Sequence, residues 1–126
     1  MRRFRVIKDL AVDMEAFLAN CRAVKACPIS DEMLPGTERL QTPELRDRFD
    51  AAARCILCGA CITGCSTFWA NANFLGPAAI VAAHRFIFDS RDHGVTDRLE
   101  ILNERSGIWR AAPPSTAPKS APEGSR

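Results

Sequence analysis

Apolar side chains recur every three or four residues along most of this 126-residue chain, which is the period of helices that bury one face. The spacing predicts helices over residues 6–24, 43–53, 78–89 and 97–103. The second has a clear start signal, with Thr42 as N-cap, Pro43 at the first helical position and Glu44 in the first turn. Thr96 is predicted to cap the last helix. No stretch alternates apolar and polar residues as a strand would, so the pattern predicts an all-α fold.

The predicted helices also define an expected core. Its positions are Val6, Ile7, Leu10, Met14, Phe17, Leu18, Cys21, Leu45, Phe49, Ala52, Ile80, Val81, Ala83, Ile87, Leu99, Ile101 and Leu102. Cys21 is interpreted as a small apolar side chain within this set. His84 and Arg85 are assigned to a solvent-exposed helix face, although both residue types can also line a site.

The segments outside these helices differ in character. Residues 27–41 contain Pro28, Pro35 and Gly36 and are typical of an irregular connector. Residues 111–126 contain no large apolar side chain and hold four of the eight prolines. Because such a stretch has nothing to bury, we expect a disordered tail there, preceded by one small helical domain over residues 1–110.

Four of the six cysteines lie in one loop over residues 54–66, at Cys55, Cys58, Cys61 and Cys65. Their spacing, C-x2-C-x2-C-x3-C, is that of bacterial iron–sulfur sites, in which three thiolates hold one [4Fe–4S] cluster and the fourth reaches another cluster. Glycine and alanine between the cysteines allow the backbone to pass close to cluster sulfides. The loop therefore predicts iron–sulfur ligation.

The residues alone allow two other uses of these cysteines. A disulfide framework is disfavoured because the cysteines are crowded into one loop and no signal peptide precedes them. A zinc site usually takes two separated C-x2-C pairs, or a pair with histidines, and His84 and His93 are not placed that way. Cys27 lies outside any ligand spacing. Zinc remains the alternative metal.

Charge and hydropathy narrow the class of protein. Seventeen basic and fifteen acidic residues nearly balance, so no nucleic-acid-binding surface is indicated. The most apolar segment, residues 74–88, is interrupted by Pro77, His84 and Arg85 and is too short to span a bilayer. The first residues lack a secretory pattern, so we expect a reducing, cytoplasmic location, with any membrane association through partners.

Residues 5–110 resemble the iron–sulfur subunit of succinate dehydrogenase and fumarate reductase. The stretches that carry the resemblance are the cysteine run, FLGPAA at 74–79, HRFIFDSRD at 84–92 and RLEILN at 98–103. Residues 6–14 are similar to the start of that subunit's C-terminal domain. The resemblance implies a helical bundle of the alpha-helical ferredoxin type, whose clusters carry electrons between a flavoprotein and membrane quinone.

Position by position, the resemblance implies that Cys55, Cys58 and Cys61 are three of the four ligands of a [4Fe–4S] cluster. Cys65 would be one of three ligands of a [3Fe–4S] cluster. Thr67 and Trp69 fall in the stretch that borders the quinone pocket, although the aromatic residues there can equally serve only to shield cluster sulfur. The implied partners are an FAD-containing flavoprotein subunit, membrane anchor or cytochrome b subunits, and quinone. The implied location is the inner face of the cell membrane, through those partners.

The chain departs from the family pattern in several places. It begins about where the family's [2Fe–2S] domain ends, so that domain is not represented. Ser66 stands where proline is usual, and Ala70 stands where many ubiquinone-linked members have a second tryptophan. A second cysteine run, C-x5-C-x3-C-P, is expected after Arg110 and is not in the sequence. We therefore expect incomplete ligand sets and at most a labile cluster at the first three cysteines.

The tail can be related to that second run through the genetic code. Reading one base earlier turns an alanine codon that follows a T into TGC, which encodes cysteine. Ala111, Ala117 and Ala121 have the required spacing, and Pro122 can remain proline. We expect one base to be missing near the Arg110 codon, and third bases other than T before those alanine codons would contradict this.

The function expected is therefore that of an iron–sulfur electron-transfer fragment, serving succinate oxidation or fumarate reduction without catalytic residues of its own. One alternative is another small helical [4Fe–4S] module, either heterodisulfide-reductase-like or one part of a split subunit. A zinc-binding structural module is the other.

Overall fold

The computed structural model describes residues 4–30, 36, 38–71, 73–104 and 107–110. About half of these residues are helical, and within them the strands form one two-stranded antiparallel sheet. The elements are β1 (Val6–Lys8), β2 (Ala11–Val12), α1 (Glu15–Ala23), α2 (Pro43–Ala53), α3 (Ala60–Thr63), α4 (Ser66–Ala70), α5 (Pro77–Ile87), α6 (Val95–Asn103) and a 3-10 turn (Ile108–Arg110). The expectations for the tail and its reading frame lie outside the described residues.

The prediction of one helix over residues 6–24 is wrong in its first half. Val6 pairs with Val12, and Lys8 pairs with Ala11, in an antiparallel hairpin. Asp9 turns the chain with a φ of 50°, in the left-handed region that short polar side chains tolerate best. The hairpin adds one short strand pair to a domain that is otherwise helical, as predicted. It leaves Val6, Ile7 and Leu10 exposed instead of in the core.

The helix α1 begins only at Glu15, whose backbone N–H donates to the Asp13 carboxylate at 2.9 Å. Its buried side consists of Phe17 and Cys21, one turn apart. This confirms Cys21 as a core residue. Leu18, on another face, is partly exposed.

The helix α2 begins and ends at the predicted residues. Thr42 caps the helix by accepting the backbone N–H of Leu45 at 3.4 Å, and Pro43 is the first helical residue. Phe49 is fully buried, while Leu45 and Ala52 are half-buried. The N-cap, the proline and the apolar spacing together were sufficient to predict this element.

The central helix is α5, which packs against α1, α2, α3 and α6. Its buried residues are Ala78, Ala79, Ala83 and Phe86. The small alanines allow the neighbouring helices to approach closely on several sides. Val81 was predicted to be in the core and is exposed, whereas His84 and Arg85 are exposed as predicted.

The start of α6 differs from the prediction. The N-cap is Gly94, which makes no side-chain hydrogen bond, so the prediction that Thr96 caps this helix is wrong. Leu102 is buried and Ile101 half-buried, but Leu99, also predicted to be in the core, is half exposed. What fixes this end of the helix is a buried ion pair.

Arg98 on α6 is fully buried and pairs with Asp92 in the preceding loop. Arg98 Nη2 also donates to the carbonyl oxygens of Lys25, at 3.1 Å, and Cys27, at 2.8 Å. Asp92 Oδ2 accepts the backbone N–H of Ile29 at 2.9 Å. We call this pair, with the backbone of residues 25–29, the Asp92–Arg98 clamp. It joins the segment after α1 to the loop before α6.

Most of the buried apolar residues fall into two groups. One lies beneath the cysteine segment and consists of Phe17, Cys21, Ile62, Phe68, Phe74 and Ala78. We call it the loop core. The other consists of Val24, Leu75, Ala79, Ala83 and Leu102. No helix in the described part of the chain has the length and apolar character needed to cross a membrane.

Candidate metal centre

The four cysteines of the motif lie between α2 and α5. Two are in the irregular segment that follows α2, one is in α3, and one is the N-cap of α4. The backbone takes left-handed φ values at Leu57 (55°) and Gly59 (76°), which turn the segment sharply between the cysteines. The backbone therefore turns sharply within the segment that carries the first three cysteines.

Gly59 allows this loop to rest on the start of α1. It is buried, and a Cβ atom built on it would lie 3.4 Å from Met14 Cε and 3.7 Å from Phe4 Cζ. Its φ of 76° is one that residues with side chains rarely adopt. The loop is thus supported from below by apolar side chains.

The thiols of the chain differ in exposure. All six cysteines are free thiols, of which Cys21 is buried and Cys65 is half-buried. The others, including Cys27, are exposed. Ile56 between the first two loop cysteines is 83% exposed, so the top of the loop faces solvent.

Electrostatic effects show which thiols lie near one another. Desolvation of its sulfur raises the pKa of Cys61, and the nearby Cys55 and, to a smaller extent, Cys58 raise it further. Burial likewise raises the pKa of Cys21, followed by Cys55 and Cys61. The Cys21 thiol therefore lies near those of Cys55 and Cys61, and without metal it is protonated at neutral pH.

Cys65 has different surroundings from the first three loop cysteines. Its Sγ accepts the backbone N–H of Phe68 at 3.4 Å and packs against the loop core. Trp69 is half-buried on the same short helix, and its indole N–H donates to the carbonyl oxygen of Thr63 at 2.9 Å. Thr67 is also half-buried on α4. Both predicted quinone-lining residues therefore lie on the short helix that Cys65 caps.

The donor set fits an iron–sulfur group by its chemistry, since thiolates are the ligands that hold such clusters. The arrangement is not closed around a metal, however. Within the described ranges, no three Cys, His, Asp or Glu side chains are placed to hold one metal ion. Ligation would therefore require the exposed cysteines of the loop to move closer together.

The position of Cys21 beside the loop was missed by sequence reasoning, which assigned it only to the core. It lies outside the cysteine run and has no ligand spacing to Cys55. Only the packing of α1 beneath the loop brings the two together. The one available signal was a cysteine on the buried face of the helix that the loop rests on.

The fold and the site together define a small helical domain with a thiolate-rich loop over an apolar core. Over 108 residues the chain is 41% identical to the succinate dehydrogenase iron–sulfur subunit of Coxiella burnetii, covering 85% of this chain and 46% of that protein. It is 39% identical over 111 residues to a fumarate reductase iron–sulfur subunit of Escherichia coli, covering 86% and 45%. The succinate dehydrogenase iron–sulfur subunit of Paracoccus denitrificans is 33% identical over 120 residues, covering 94% and 46%. No protein-family model matches the chain.

The chain is homologous to the succinate dehydrogenase and fumarate reductase iron–sulfur subunits, and its matches fit a C-terminal part of them. It spans about half the length of the curated relatives it matches. These findings confirm the resemblance drawn from the cysteine run and the three stretches after it.

Proposed function

We propose that this chain is a cluster-binding part of an iron–sulfur subunit in a complex of the succinate dehydrogenase or fumarate reductase type. The observation that carries the proposal is its homology to subunits with those names, together with the cysteine loop. When bound, iron–sulfur clusters supply one-electron redox centres. The proposed role is electron transfer between a flavoprotein subunit and quinone, with no catalytic residue in this chain.

We assign Cys55, Cys58 and Cys61 as ligands of a [4Fe–4S] cluster in an alpha-helical ferredoxin-type domain. Their position in one short segment, turned sharply by the left-handed φ values of Leu57 and Gly59, supports ligation of a single cluster. Cys65 is assigned to a second, [3Fe–4S] cluster. The N–H of Phe68 that donates to Cys65 Sγ supports this role, since such hydrogen bonds stabilise the negative charge of a ligating thiolate.

The loop core has a specific part in this proposal. Ile62 and Phe68 are buried beside two of the cysteines and exclude water from the lower side of the loop. A low-dielectric surface on one side and solvent on the other affects cluster potential. The chain would therefore set potential through burial and N–H donation as well as through the ligands.

We further propose that Thr67 and Trp69 border the quinone site. The hydrogen bond from the Trp69 indole to Thr63 supports this by fixing the ring at a half-buried position beside Cys65. The proposed partners are the flavoprotein subunit and membrane anchor subunits. Through them, the chain would lie on the inner face of the cell membrane.

Anaerobic reconstitution of the full chain with iron and sulfide tests the proposal. We expect a brown protein that contains iron and sulfide in nearly equal amounts, and a large loss of both in Cys58→Ala. Cys27→Ala is the matched control, because Cys27 is equally exposed and lies outside the loop. A colourless protein with one zinc ion bound by the loop would contradict the proposal and favour a zinc-binding structural module.

A further inference from the structure

We propose that Asn20 on α1 is a positioning residue for Cys65, acting through the segment that joins α4 to α5. The inference rests on the proposed function, since Cys65 is the residue assigned there to the second cluster. Its physical basis is a series of contacts that begins at the Asn20 amide and ends at the N–H group donated to the Cys65 sulfur. Asn20 itself is not assigned as a ligand.

The first contact is a hydrogen bond between α1 and the segment before α5. Asn20 Nδ2 donates to the carbonyl oxygen of Leu75 at 3.0 Å. The Asn20 side chain is half-buried, and Leu75 is buried in the core group that also contains Val24. A carbonyl group removed from water is costly to leave without a donor. The bond therefore fixes the peptide between Leu75 and Gly76 against α1.

That peptide leads into a backbone conformation which glycine alone adopts readily. Gly76 has a φ of 90° and a ψ of 159°. Residues in such sparsely populated regions stay there only where the surrounding contacts impose the conformation. The bond from Asn20 to the preceding carbonyl is one of those contacts. Without it, we expect the backbone at Gly76 to relax and shift.

Gly76 is also the surface against which the Phe68 ring lies. A Cβ atom built on Gly76 would lie 3.0 Å from Phe68 Cδ2 and 2.9 Å from Ile62 Cδ1, so the glycine backbone and these two side chains are in close contact. Both side chains are buried in the loop core. Since closely packed groups cannot move independently, a shift at Gly76 should move the Phe68 ring.

The backbone of Phe68 completes the series of contacts. Its N–H group donates to Cys65 Sγ at 3.4 Å. Hydrogen bonds weaken steeply as their angle departs from linearity, so a small movement of Phe68 is enough to lose this one. Hydrogen bonds to a ligating atom tune the metal that it binds. Asn20 would therefore control the polarity around the Cys65 sulfur without touching it.

Hydrogen exchange of the metal-free full chain, followed for each residue by NMR, tests the inference. Asn20→Leu keeps the side-chain shape but has no donor. We expect its Phe68 N–H to exchange about tenfold faster than in the wild type, with a shifted amide proton resonance. The N–H of Ala83, a buried residue in α5, is the reference for overall stability. The ratio of the two rates should rise in Asn20→Leu and return toward the wild-type value in Asn20→Gln, which restores an amide donor.

Asn73→Leu is the matched control, because Asn73 is exposed in the same segment before α5. It should leave the ratio unchanged. Equal acceleration at Phe68 and Ala83 in Asn20→Leu would overturn the inference, since Asn20 would then be a general stabilising residue. An unchanged Phe68 rate, or an equal effect of Asn73→Leu, would overturn it as well.

Folding of each variant is checked by circular dichroism. If Asn20→Leu does not fold, Asn20→Ser decides, because its hydroxyl group is too short to replace the bond to Leu75. The same ratio is measured, with the same expected rise. The measurement needs no metal, so its failure is separate from failure of the proposed function, which iron uptake tests.

Discussion

The cysteine loop and the Asp92–Arg98 clamp are both irregular segments between helices, yet they are built in opposite ways. The clamp buries two charged side chains that satisfy each other and the backbone of residues 25–29. The loop instead turns its thiols toward solvent and buries only its underside. The ion pair of the clamp is satisfied within the chain and stabilises the fold. The exposed thiols of the loop remain available to bind a metal.

The difference also separates what stabilises the metal-free chain from what would stabilise the loaded one. Buried ion pairs are costly to break, because removing one partner leaves the other charge desolvated. The exposed thiols contribute little until a metal joins them, and the binding free energy of the metal then adds to folding. Stability should therefore depend on the clamp before loading and on the loop after it.

Arg98→Ala should have the largest effect on the metal-free chain. It leaves the Asp92 carboxylate buried without its charged partner, and the expected loss of unfolding free energy is about 3–5 kcal/mol. Urea unfolding followed by circular dichroism measures this. The matched control is Arg46→Ala, which removes an exposed pair to Asp50 at 3.3 Å and should cost much less. Equal losses in the two variants would mean that the clamp has no special role.

Gly76→Ala should have the next largest effect on stability, because this glycine packs directly against the loop core. Its φ is 90°, and an added Cβ would lie 2.9 Å from Ile62 Cδ1 and 3.0 Å from Phe68 Cδ2. Strain and overpacking together should cost about 1–3 kcal/mol in thermal unfolding. Gly36→Ala is the control, since no atom lies within 4 Å of its added Cβ. An unchanged melting temperature for Gly76→Ala would show that the loop core is not tightly packed.

Acid should weaken the clamp. Burial alone would raise the pKa of Asp92, but the hydrogen bonds from Arg98 and from the N–H groups of Ile29 and Gly94 outweigh it and hold the pKa below its usual value. A carboxylate with a lowered folded pKa adds stability above its unfolded pKa of about 3.9 and loses it as pH falls through the folded value. Urea midpoints should therefore drop steeply below about pH 4.

Asp92→Asn is the comparison for this acid effect. It removes the titrating group, so the chain should be less stable near neutral pH but should show a shallower decline in acid. The same steep decline in both proteins would assign the acid sensitivity to other carboxylates.

The smallest effect concerns thiol reactivity in the metal-free chain. Cys55 and Cys58 are exposed and Cys21 is 6% exposed, so iodoacetamide should modify the two loop cysteines first. Mass spectrometry of peptides at increasing reaction times measures the order. Adding urea should abolish the difference, because it exposes all three thiols. Equal rates in native buffer would contradict the burial of Cys21 beneath the loop.

The elements that could be predicted have local signals. The bounds of α2 follow from Thr42 and Pro43, which act within one turn of the helix. The hairpin was missed because Val6, Ile7 and Leu10 also have the spacing of a helix face. Its turn depends on Asp9 adopting a left-handed φ, which no apolar pattern indicates.

The same distinction applies to the site. The spacing of Cys55, Cys58 and Cys61 was sufficient to predict a common loop, because those residues are neighbours in the chain. The proximity of Cys21 depends on how α1 packs beneath the loop, which is a tertiary contact. Arg98 likewise has no sequence signal for burial, since a charged residue on a short helix is usually exposed.

The most direct test of the cluster assignment is the Mössbauer spectrum of the anaerobically reconstituted full chain, compared with a variant that replaces Cys55, Cys58 and Cys61 by alanine. We predict the spectrum of a [4Fe–4S] cluster in the wild type and no [4Fe–4S] signal in the variant. A [4Fe–4S] signal that survives the triple replacement, or a wild-type chain that binds no iron, would contradict the assignment of this loop.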